Sequence, residues 1–472
     1  MKSLFPPGFN WSAYIGLSLI IRVLFVDVSA IGFVAVLLAL HQFMLLFDAV
    51  GKTIPVRYLF GAFMTLQYFI GPTLAYNGLD EYAYFVYRMK IPELEYFSYA
   101  IPGVMAFIVG LHVSAGPLKG EIPNEQAIRL FVARNPTIPY LFIIIGFLTS
   151  IFGGLLPSAL ALVAYLLGSF KFIGLFLIIL GGIELKLGPL ILVLGSIISS
   201  SLSDGMFHDL LTWLVFVGAV YAYKFKLGMW VKITGAIGFV VFAIFIQVIK
   251  GSYRDATWYG ESESGLSTFI SVYQKSASSD KPLFSFENLA DKNVRINQGF
   301  ILTNVMNTVP EKVPYANGEE LWQILEAAFL PRLIAPNKLQ AGDRRLFTKY
   351  SGIQLRKGTS MGLGSLADGY INFGSWGGTL FMFVLGWVYS WLLNFMFNRS
   401  KQFPMIILFT PLIFYYPIRP DCELQTALGH FIKAGFLVFV ILYTFRDIFD
   451  VNAANQKAAK RAMPFPNPQP TS

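Results

Sequence analysis

The sequence contains little charge for its length. Charged residues make up 13% of the 472 residues, whereas hydrophobic residues make up 55%. A soluble domain carries roughly 25% charged residues, and the mean hydropathy here is +0.59. This deficit excludes an ordinary soluble domain and indicates an integral membrane protein. Its apolar runs are long and do not alternate with polar residues, so we expect membrane helices rather than strands.

Cysteine and histidine are scarce as well. The single cysteine, Cys422, excludes a disulfide framework and a cysteine-based metal site. The four histidines lie far apart, with no metal-ligand spacing, at His41, His112, His208 and His430. Acidic pairs with metal-site spacing are absent too. We therefore expect neither a metal nor a cofactor, and a Mg²⁺-dependent nucleotide-sugar enzyme is disfavoured.

Twelve apolar runs are candidates for membrane helices. They lie near 11–26, 29–47, 57–77, 96–116, 137–154, 156–182, 187–202, 207–223, 229–249, 370–396, 403–418 and 427–446. No small-residue cleavage site follows the first ten residues, so we expect the first run to be retained. The run at 156–182 is interrupted by Lys171 and fits either one long helix or two half-helices.

The basic residues predict a topology. With the N-terminus in the cytoplasm and twelve spans, the inner connections collect most of the Lys and Arg, as the positive-inside rule requires. In a membrane protein this distribution explains a net charge of +9 without a nucleic-acid partner. The inner set is Lys52, Arg57, Lys119, Arg129, Arg134, Lys186, Lys224, Lys226, Arg399 and Lys401.

The resulting organisation has four parts. Residues 1–249 form a first group of about nine helices, and residues 367–446 form a second group of about three. Between them, residues 250–366 form a long polar and aromatic segment on the outer side of the membrane. A loop of this length is uncommon unless it is functional or disordered, and its many aromatic residues argue against disorder. We expect a small, mostly helical cap there, and a disordered cytoplasmic tail at 447–472.

The cap predicts a site for a phosphate-bearing glycan. Arginine presents a fork of donors that matches phosphate oxygens, and aromatic rings are platforms for sugars at a membrane interface. Tyr253 and Arg254 lie where a helix leaves the membrane, and Arg295 lies further along the cap. The alternative is that these residues contact lipid headgroups or solvent.

Three further patterns add candidate residues. Two prolines five positions apart, Pro331 and Pro336, predict a turn that holds Arg332 and Lys338. A glycine-rich stretch from Gly358 to Gly378 follows, where Asp368 and Asn372 share a helix face and Gly374 permits close backbone approach. Near the last run, Arg419 and Asp421 face the same outer side. Each pattern also has a plainer explanation. The prolines would form a structural turn, the glycines a helix contact, and Arg419 with Asp421 a simple ion pair.

These features resemble the bacterial polysaccharide repeat-unit polymerases of the Wzy, or O-antigen polymerase, type. The likeness consists of about twelve spans, one large late outer loop, the Pro331–Arg332 and Pro336–Asn–Lys338 elements, the stretch from Asp368 to Gly374, and Arg419 near the last span. It covers the architecture of most of the chain, and its motif-level part runs from about Arg254 to Lys433.

The resemblance implies a GT-C-like helical bundle and a metal-independent glycosyltransferase in the bacterial cytoplasmic membrane, with both termini cytoplasmic. Its substrates would be undecaprenyl-diphosphate-linked oligosaccharides, which it would join into O-antigen, capsule or exopolysaccharide. A chain-length regulator or a flippase of the same pathway would be further partners, together with membrane lipid.

The resemblance also implies roles for the candidate residues. Arg332 and Arg419 would stabilise the leaving diphosphate, with Asp368 and Asp421 as candidates for the general base. Substrate binding would fall to Tyr253, Arg254, Arg295, Lys338, Asn372 and Gly374.

Three other functions stay open at this point. A flippase or transporter of lipid-linked sugars should line its spans with polar groups, and few are present. A ligase of the related type is generally associated with an essential histidine in the outer loop, and residues 250–366 contain none. A protein that only scaffolds a synthase is the third.

Overall fold

The computed structural model is helical throughout the part of the chain that it describes. It describes residues 3–114, 121–157, 160–183, 187–260, 262–277, 293–294, 296–330, 334–335, 337–340, 342–355 and 361–450. Within these ranges the only β-type contact is an isolated bridge between Val50 and Thr53. Together with its long apolar helices, this makes the protein a helical membrane protein. Arg295, Arg332 and the tail from Val451 lie outside the described residues.

The first part of the chain forms twelve helices. They are α1 (Trp11–Leu24), α2 (Ala30–Ala49), α3 (Val56–Thr65), α4 (Gly71–Tyr76), α5 (Glu93–Val113), α6 (Glu125–Arg134), α7 (Ile138–Phe152), α8 (Ala161–Gly168), α9 (Phe170–Gly181), α10 (Leu187–Asp204), α11 (His208–Phe225) and α12 (Met229–Arg254). A π-helical turn, Leu66–Ile70, joins α3 to α4, and a second, Asp255–Tyr259, follows α12.

The rest of the described chain adds eight helices. They are α13 (Leu266–Ala277), α14 (Gly299–Met306), α15 (Glu319–Phe329), α16 (Arg344–Ser351), α17 (Ser365–Arg399), α18 (Thr410–Ile413), α19 (Leu424–Thr444) and α20 (Arg446–Phe449). A 3₁₀ segment, Pro404–Phe409, precedes α18, and α20 lies at the start of the predicted tail.

Each of the twelve predicted runs contains helical backbone. Seven helical segments in the described chain are long and apolar enough to cross a membrane. Three more, Trp11–Leu24, Gly188–Asp204 and Pro404–Ile413, are apolar but shorter. The number of twelve spans therefore stays a prediction.

The predicted run at 156–182 forms one candidate span, Ala161–Gly181, with a break inside it. The break falls at Ser169, between α8 and α9. Lys171 follows it and is 6% exposed, with its Nζ donating to Ser150 Oγ at 3.1 Å. A buried ammonium group needs such a hydrogen-bond partner. The helix break at Ser169 and the Ser150 hydroxyl therefore both help to accommodate Lys171 inside the bundle.

The crossing of α5 and α17 is the closest helix contact that positions the site. A Cβ atom at Gly110 would collide with the Phe383 carbonyl oxygen, and one at Gly386 with the Phe107 carbonyl oxygen. Small residues at such points let two membrane helices approach backbone to backbone. Further along, Tyr99 Oη donates to the Leu366 carbonyl oxygen at 2.7 Å. These contacts fix the N-terminal end of α17 against α5.

One end of the bundle is basic. There the Lys224 ammonium group pairs with Glu125 at 2.8 Å, and Lys232 Nζ donates to the Val50 carbonyl oxygen at 2.7 Å. Arg57 is 1% exposed and pairs with Glu121 through Nε at 2.6 Å. These contacts gather Arg57 and Lys224 of the predicted inner set, together with Lys232, at one end of the bundle, while the first residues of α19 lie at the other.

Part of the described chain between residues 250 and 366 packs inside the bundle rather than on its surface. All eight residues of α14 are buried, and the preceding Gln298 donates its backbone N–H to the Gln67 carbonyl oxygen at 3.0 Å. The Asn293 amide donates to the Gly71 carbonyl oxygen at 2.9 Å. The segment therefore inserts against the π turn between α3 and α4, where the helical pattern leaves backbone carbonyls available.

Candidate functional site

Two small pockets lie side by side, and the first reaches into the core of the bundle at Phe107, Leu385 and Tyr389. Leu424 lines both of them and forms part of the wall between them. The first pocket, the arginine pocket, also contains Arg419, Ser365 and Cys422. The second, the acidic pocket, contains Glu320, Asp368 and Glu423. This arrangement brings the N-terminal part of α17 and the Arg419 turn together.

The acidic pocket is built from three helix N-termini. Glu320 lies in the first turn of α15, Asp368 in the first turn of α17, and Glu423 is the N-cap residue of α19. Carboxylates are favoured at these positions because the unpaired N–H groups and the helix dipole carry partial positive charge. The Asp368 carboxylate accepts a hydrogen bond from the Leu424 backbone. Folding thus brings these three carboxyl groups, each favoured locally at its own helix start, into one small pocket.

Asn372 holds the Glu320 carboxylate against the start of α17. Its Nδ2 donates to the Asp368 carbonyl oxygen at 2.8 Å and to Glu320 Oε2 at 3.3 Å. Its Oδ1 accepts the Leu321 backbone N–H at 3.2 Å. Asn372 is 1% exposed, so it acts as a buried clamp between α15 and α17. The predicted common face of Asp368 and Asn372 is thereby confirmed.

Burial changes the protonation of two carboxyls of the acidic pocket, Glu320 and Glu423, which lie outside the helical spans. It raises the pKa of Glu320 to about 7, although the Asn372 hydrogen bond and the nearby Lys349 ammonium act in the opposite direction. Burial likewise raises the pKa of Glu423, against the lowering effect of hydrogen bonds from the Gly342 backbone and Thr426. A carboxyl group that titrates near neutral pH is suited to proton transfer.

Arg419 is held by a carboxylate of its own turn. Its Nη2 lies 3.0 Å from Asp421 Oδ2, and its guanidinium carbon lies 5.5 Å from the centroid of the Tyr416 ring. Burial acts to raise the pKa of Asp421, but the Arg419 charge and hydrogen bond outweigh it and hold that pKa below its usual range. Asp421 is therefore ionised at neutral pH and orients Arg419, which fits a positioning role better than that of a base.

Tyr68 stands between the two pockets. It comes from the π turn after α3 and is fully buried. A Cβ atom at Gly364 would lie 2.6 Å from its hydroxyl oxygen and 2.8 Å from the Pro420 carbonyl oxygen. Gly364 has φ of 83°, so both its backbone conformation and this contact require glycine. The turn before α17 thus packs directly on the Arg419 loop.

Among the described residues, Tyr253, Arg254 and Lys338 of the predicted set line neither pocket. Tyr253 is fully buried, with its hydroxyl donating to the Leu202 carbonyl oxygen at 2.8 Å and accepting from the Gly265 N–H at 2.9 Å. Arg254 Nε donates to the Gly205 carbonyl oxygen at 2.7 Å. Lys338 Nζ donates to the Ala327 carbonyl oxygen at 2.8 Å, at the C-terminal end of α15. These contacts tie all three side chains to backbone carbonyl oxygens of neighbouring segments.

Gly374 interrupts α17 and turns the chain back on itself, so that Gly369 packs against Gly378. Its φ of 67° and ψ of −166° are not helical, and only glycine adopts them without strain. A Cβ atom there would lie 3.3 Å from the Tyr315 ring. Its role is to redirect the helix beneath Asn372, so it shapes the acidic pocket without lining it.

Sequence reasoning missed Glu320, Glu423 and Tyr68. The first two are separated by more than a hundred residues, and nothing in the sequence pairs them with Asp368. The available signal was the position of each carboxyl at the start of a helix, which by itself is also a common capping pattern. Among the described residues, no group of three or more His, Cys, Asp or Glu side chains has a metal-binding arrangement.

Known proteins provide no family assignment. No family model, no curated protein and no solved structure matches the chain. The likeness to the Wzy-type polymerases, described above from motifs, stays an expectation. A function has to be argued from the membrane-helical fold and from the geometry of the two pockets.

Proposed function

We propose that the protein is a polysaccharide repeat-unit polymerase of the cytoplasmic membrane of a bacterium. It would join undecaprenyl-diphosphate-linked oligosaccharides into a surface polysaccharide without a metal. The observation that carries the proposal is the pairing of two adjacent pockets, one with a guanidinium group and one with carboxyl groups, in a membrane-helical bundle. Glycosyl transfer from a diphosphate needs both kinds of group.

The reaction assigns a separate task to each pocket. The bond between the donor sugar C1 and the diphosphate oxygen breaks, and its electron pair stays with the diphosphate. A guanidinium group near that oxygen stabilises the charge that develops there. Arg419 is the candidate in the described chain, and Arg332 remains a second candidate from the sequence. The lipid tails of donor and acceptor keep both sugars at the same interface, which supplies proximity.

The position of the acidic pocket supports an outer-face reaction. The basic end of the bundle gathers Arg57, Lys224 and Lys232 through the contacts described above. By the positive-inside rule that end is cytoplasmic, and the acidic pocket, which lies away from it, is then on the side of the periplasm or cell exterior. Lipid-linked units would reach it after transport across the membrane.

A flippase for lipid-linked oligosaccharides is the second candidate. The observation that favours it is the polar network at the basic end, where Arg57 also donates to Ser390 Oγ at 2.7 Å and to Asn394 Oδ1 at 3.3 Å. Buried polar groups inside a membrane bundle often mark a transport path. A polymerase and a flippase leave different intermediates when they are lost, so one experiment separates them.

The test is to delete the gene and analyse the carrier lipid. We expect single repeat units to accumulate on the outer face, with long polymer absent. Units confined to the inner face would instead identify a flippase. Complementation with Arg419→Ala or Arg332→Ala should leave the single units unpolymerised, whereas Arg345→Ala, whose side chain is 93% exposed, should restore polymer. Long polymer in both Arg419→Ala and Arg332→Ala would refute the proposed roles.

A further inference from the structure

The acidic pocket has a composition that selects its ligand. Four carboxyl side chains line it, from Glu320, Asp343, Asp368 and Glu423, and no lysine or arginine does among the described lining residues. Such a pocket repels a diphosphate. It accepts groups that donate hydrogen bonds, and the hydroxyl groups of a sugar are donors of this kind. The remaining wall is mainly apolar and is formed by Ile324, Leu339, Leu346, Phe347, Leu363 and Leu424.

One oxygen of this pocket lacks a donor. Asp368 is 3% exposed, and its Oδ2 is buried without a hydrogen-bond partner. The two neighbouring carboxylates do have hydrogen-bond donors. Glu423 Oε2 accepts the Gly342 N–H at 2.9 Å, and Glu320 Oε2 accepts a hydrogen bond from the Asn372 amide. A buried acceptor left unpaired carries a desolvation cost. A ligand hydroxyl at Asp368 Oδ2 would remove this cost.

We propose that the acidic pocket is the acceptor site of the polymerase and that Asp368 and Glu320 together receive the proton of the attacking sugar hydroxyl. This assignment rests on the proposed function and extends it to the acceptor half of the reaction. The hydroxyl oxygen forms the new bond to the donor C1 as the bond from C1 to the diphosphate oxygen breaks. The hydroxyl proton passes to the carboxylate pair, and the electron pair of the broken bond leaves with the diphosphate.

The two carboxyls suit this task because they lie close together. Asp368 interacts electrostatically with both Glu320 and Glu423, and neighbouring carboxylates resist being ionised at the same time. Such a pair titrates as a unit. Its ionised member accepts the hydroxyl proton, while the Asn372 amide keeps Glu320 in position beside it.

The shared wall connects the acceptor site to the donor site. Leu424 belongs to both pockets, and the Leu424 backbone binds the Asp368 carboxylate. Glu423, the residue before it, is a wall residue of the acidic pocket. A diphosphate near Arg419 and a hydroxyl near Asp368 would therefore approach the start of α19 from opposite sides.

Isosteric variants test this proposal with purified protein in detergent or vesicles. The substrate is the pool of lipid-linked units extracted from the deletion strain. Glu320→Gln and Asp368→Asn should each lower the polymerisation rate by about 100-fold or more, while a filter assay shows retained binding of these units. The matched control is Glu319→Gln, which changes the exposed neighbour of Glu320 and should keep the wild-type rate.

The pH dependence distinguishes proton transfer from a structural role. The carboxylate pair must lose a proton to act as a base, so the wild-type rate should rise as pH increases through the Glu320 pKa of about 7. This rise should be absent in Glu320→Gln and present in Glu319→Gln. A wild-type rate and an unchanged pH profile in both Glu320→Gln and Asp368→Asn would overturn the acceptor-site proposal.

Chemical labelling is done on the wild-type protein, so its result does not depend on whether a variant folds. Dicyclohexylcarbodiimide reacts with protonated carboxyl groups in apolar surroundings, and mass spectrometry identifies the modified residue. In the wild-type protein we expect labelling of Glu320 or Asp368 at pH 6, less labelling at pH 9, and protection by the lipid-linked units. Labelling without protection would overturn the acceptor site. A deletion strain that accumulates no single units would instead overturn the polymerase assignment itself.

Discussion

Arg419 illustrates how a cation can be positioned before any substrate arrives. Asp421, two residues later, pairs with it at 3.0 Å, and Asp209 from α11 lies near enough to interact electrostatically. The guanidinium therefore has carboxylate neighbours on two elements. Their charge offsets the cost of placing Arg419 in a side-chain environment that is only 16% exposed. An incoming phosphate would compete with these carboxylates for the same donors.

The pair predicts a pH-dependent stability difference for Asp421→Asn. Because the pKa of Asp421 is lowered in the folded state, the pair stabilises the protein above the unfolded carboxyl pKa. This contribution is lost as pH falls through the folded pKa. The Asp421 side chain is 41% exposed, so solvent screens the pair and we expect only about 1 kcal/mol at pH 7.

Thermal unfolding in detergent at pH 7 and pH 3 measures this difference. Asp421→Asn should melt below wild type at pH 7, and the gap should narrow as the pH is lowered to 3. The control is Asp27→Asn, which changes an exposed residue and should show no gap at either pH. A gap of equal size at both values would mean that the carboxylate charge is not responsible.

For individual residues, the sequence predicted only part of the candidate site. The common helix face of Asp368 and Asn372 follows from a spacing of four, and the structure confirms it. Glu320 could not be predicted, because its partner Asn372 lies 52 residues away. Gly318 and Glu319, which precede Glu320, indicate only that a helix starts there. The sequence does not show which of the two glutamates is buried, because that depends on the segments that pack against the helix.

Among the elements, α17 connects the site to the rest of the bundle. It carries Asp368 and Asn372 in its first turns, reverses at Gly374, and then crosses α5 at Gly386. The sequence indicated a glycine-rich helix contact in this region. It did not indicate the reversal, because a glycine inside a helical pattern fits either a close contact or a kink. The orientation of the acidic pocket depends on both features.

The crossing gives a prediction for Gly386→Ala. The new methyl group would collide with the Phe107 backbone carbonyl, and α5 would have to move. We expect a loss of about 2 kcal/mol in unfolding free energy, since overpacked sites cost about 1–3 kcal/mol, with a partial loss of polymer. Titration with SDS measures this stability change.

Gly435→Ala is the matched control on α19. No atom lies within 4 Å of the position that its methyl group would occupy, and alanine is a better helix former than glycine by about 1 kcal/mol. This variant should be as stable as wild type or slightly more stable. If both alanine variants behaved alike, the close approach of α5 and α17 would not contribute to stability.

At the scale of the described molecule, basic side chains from several helices meet at one end of the bundle, and an acidic pocket lies away from it. Contacts bring residues from α3, α6, α11 and α12 together at the basic end. The opposite end contains the 3₁₀ turns before α5, where Asp80 accepts the Met89 N–H at 2.7 Å. Such a division is typical of a membrane protein whose orientation is set by its basic loops.

Cysteine labelling tests this orientation. In a Cys422→Ser background, single cysteines at Lys52 and Arg129 probe the basic end, while cysteines at Tyr84 and Arg345 probe the other; all four positions are exposed. In intact cells a membrane-impermeant maleimide should label only Tyr84→Cys and Arg345→Cys. After the membrane is broken, all four should react. Labelling of Lys52→Cys in intact cells would reverse the topology and with it the outer-face reaction.

The sequence by itself determined the class of this protein and the positions of its helices. Long apolar runs must satisfy their backbone hydrogen bonds internally in a bilayer, so composition and run length are enough to predict membrane helices. Helical backbone occurs in each run for this reason, although the run at 403–418 holds only a 3₁₀ segment and the four-residue α18 before the chain turns. The basic loops are local features too, and they predict which ends of the helices lie together.

Only the tertiary structure decided which polar residues meet. Tyr253 and Lys338 belonged to the same predicted site as Asp368, yet folding directs their side chains to backbone carbonyls elsewhere. Glu320 and Glu423, which no motif singled out, join Asp368 because three helices begin at one place. Such convergence depends on how α5 and α17 cross and where α17 turns back. Packing between distant segments sets that geometry, and a local sequence pattern does not encode it.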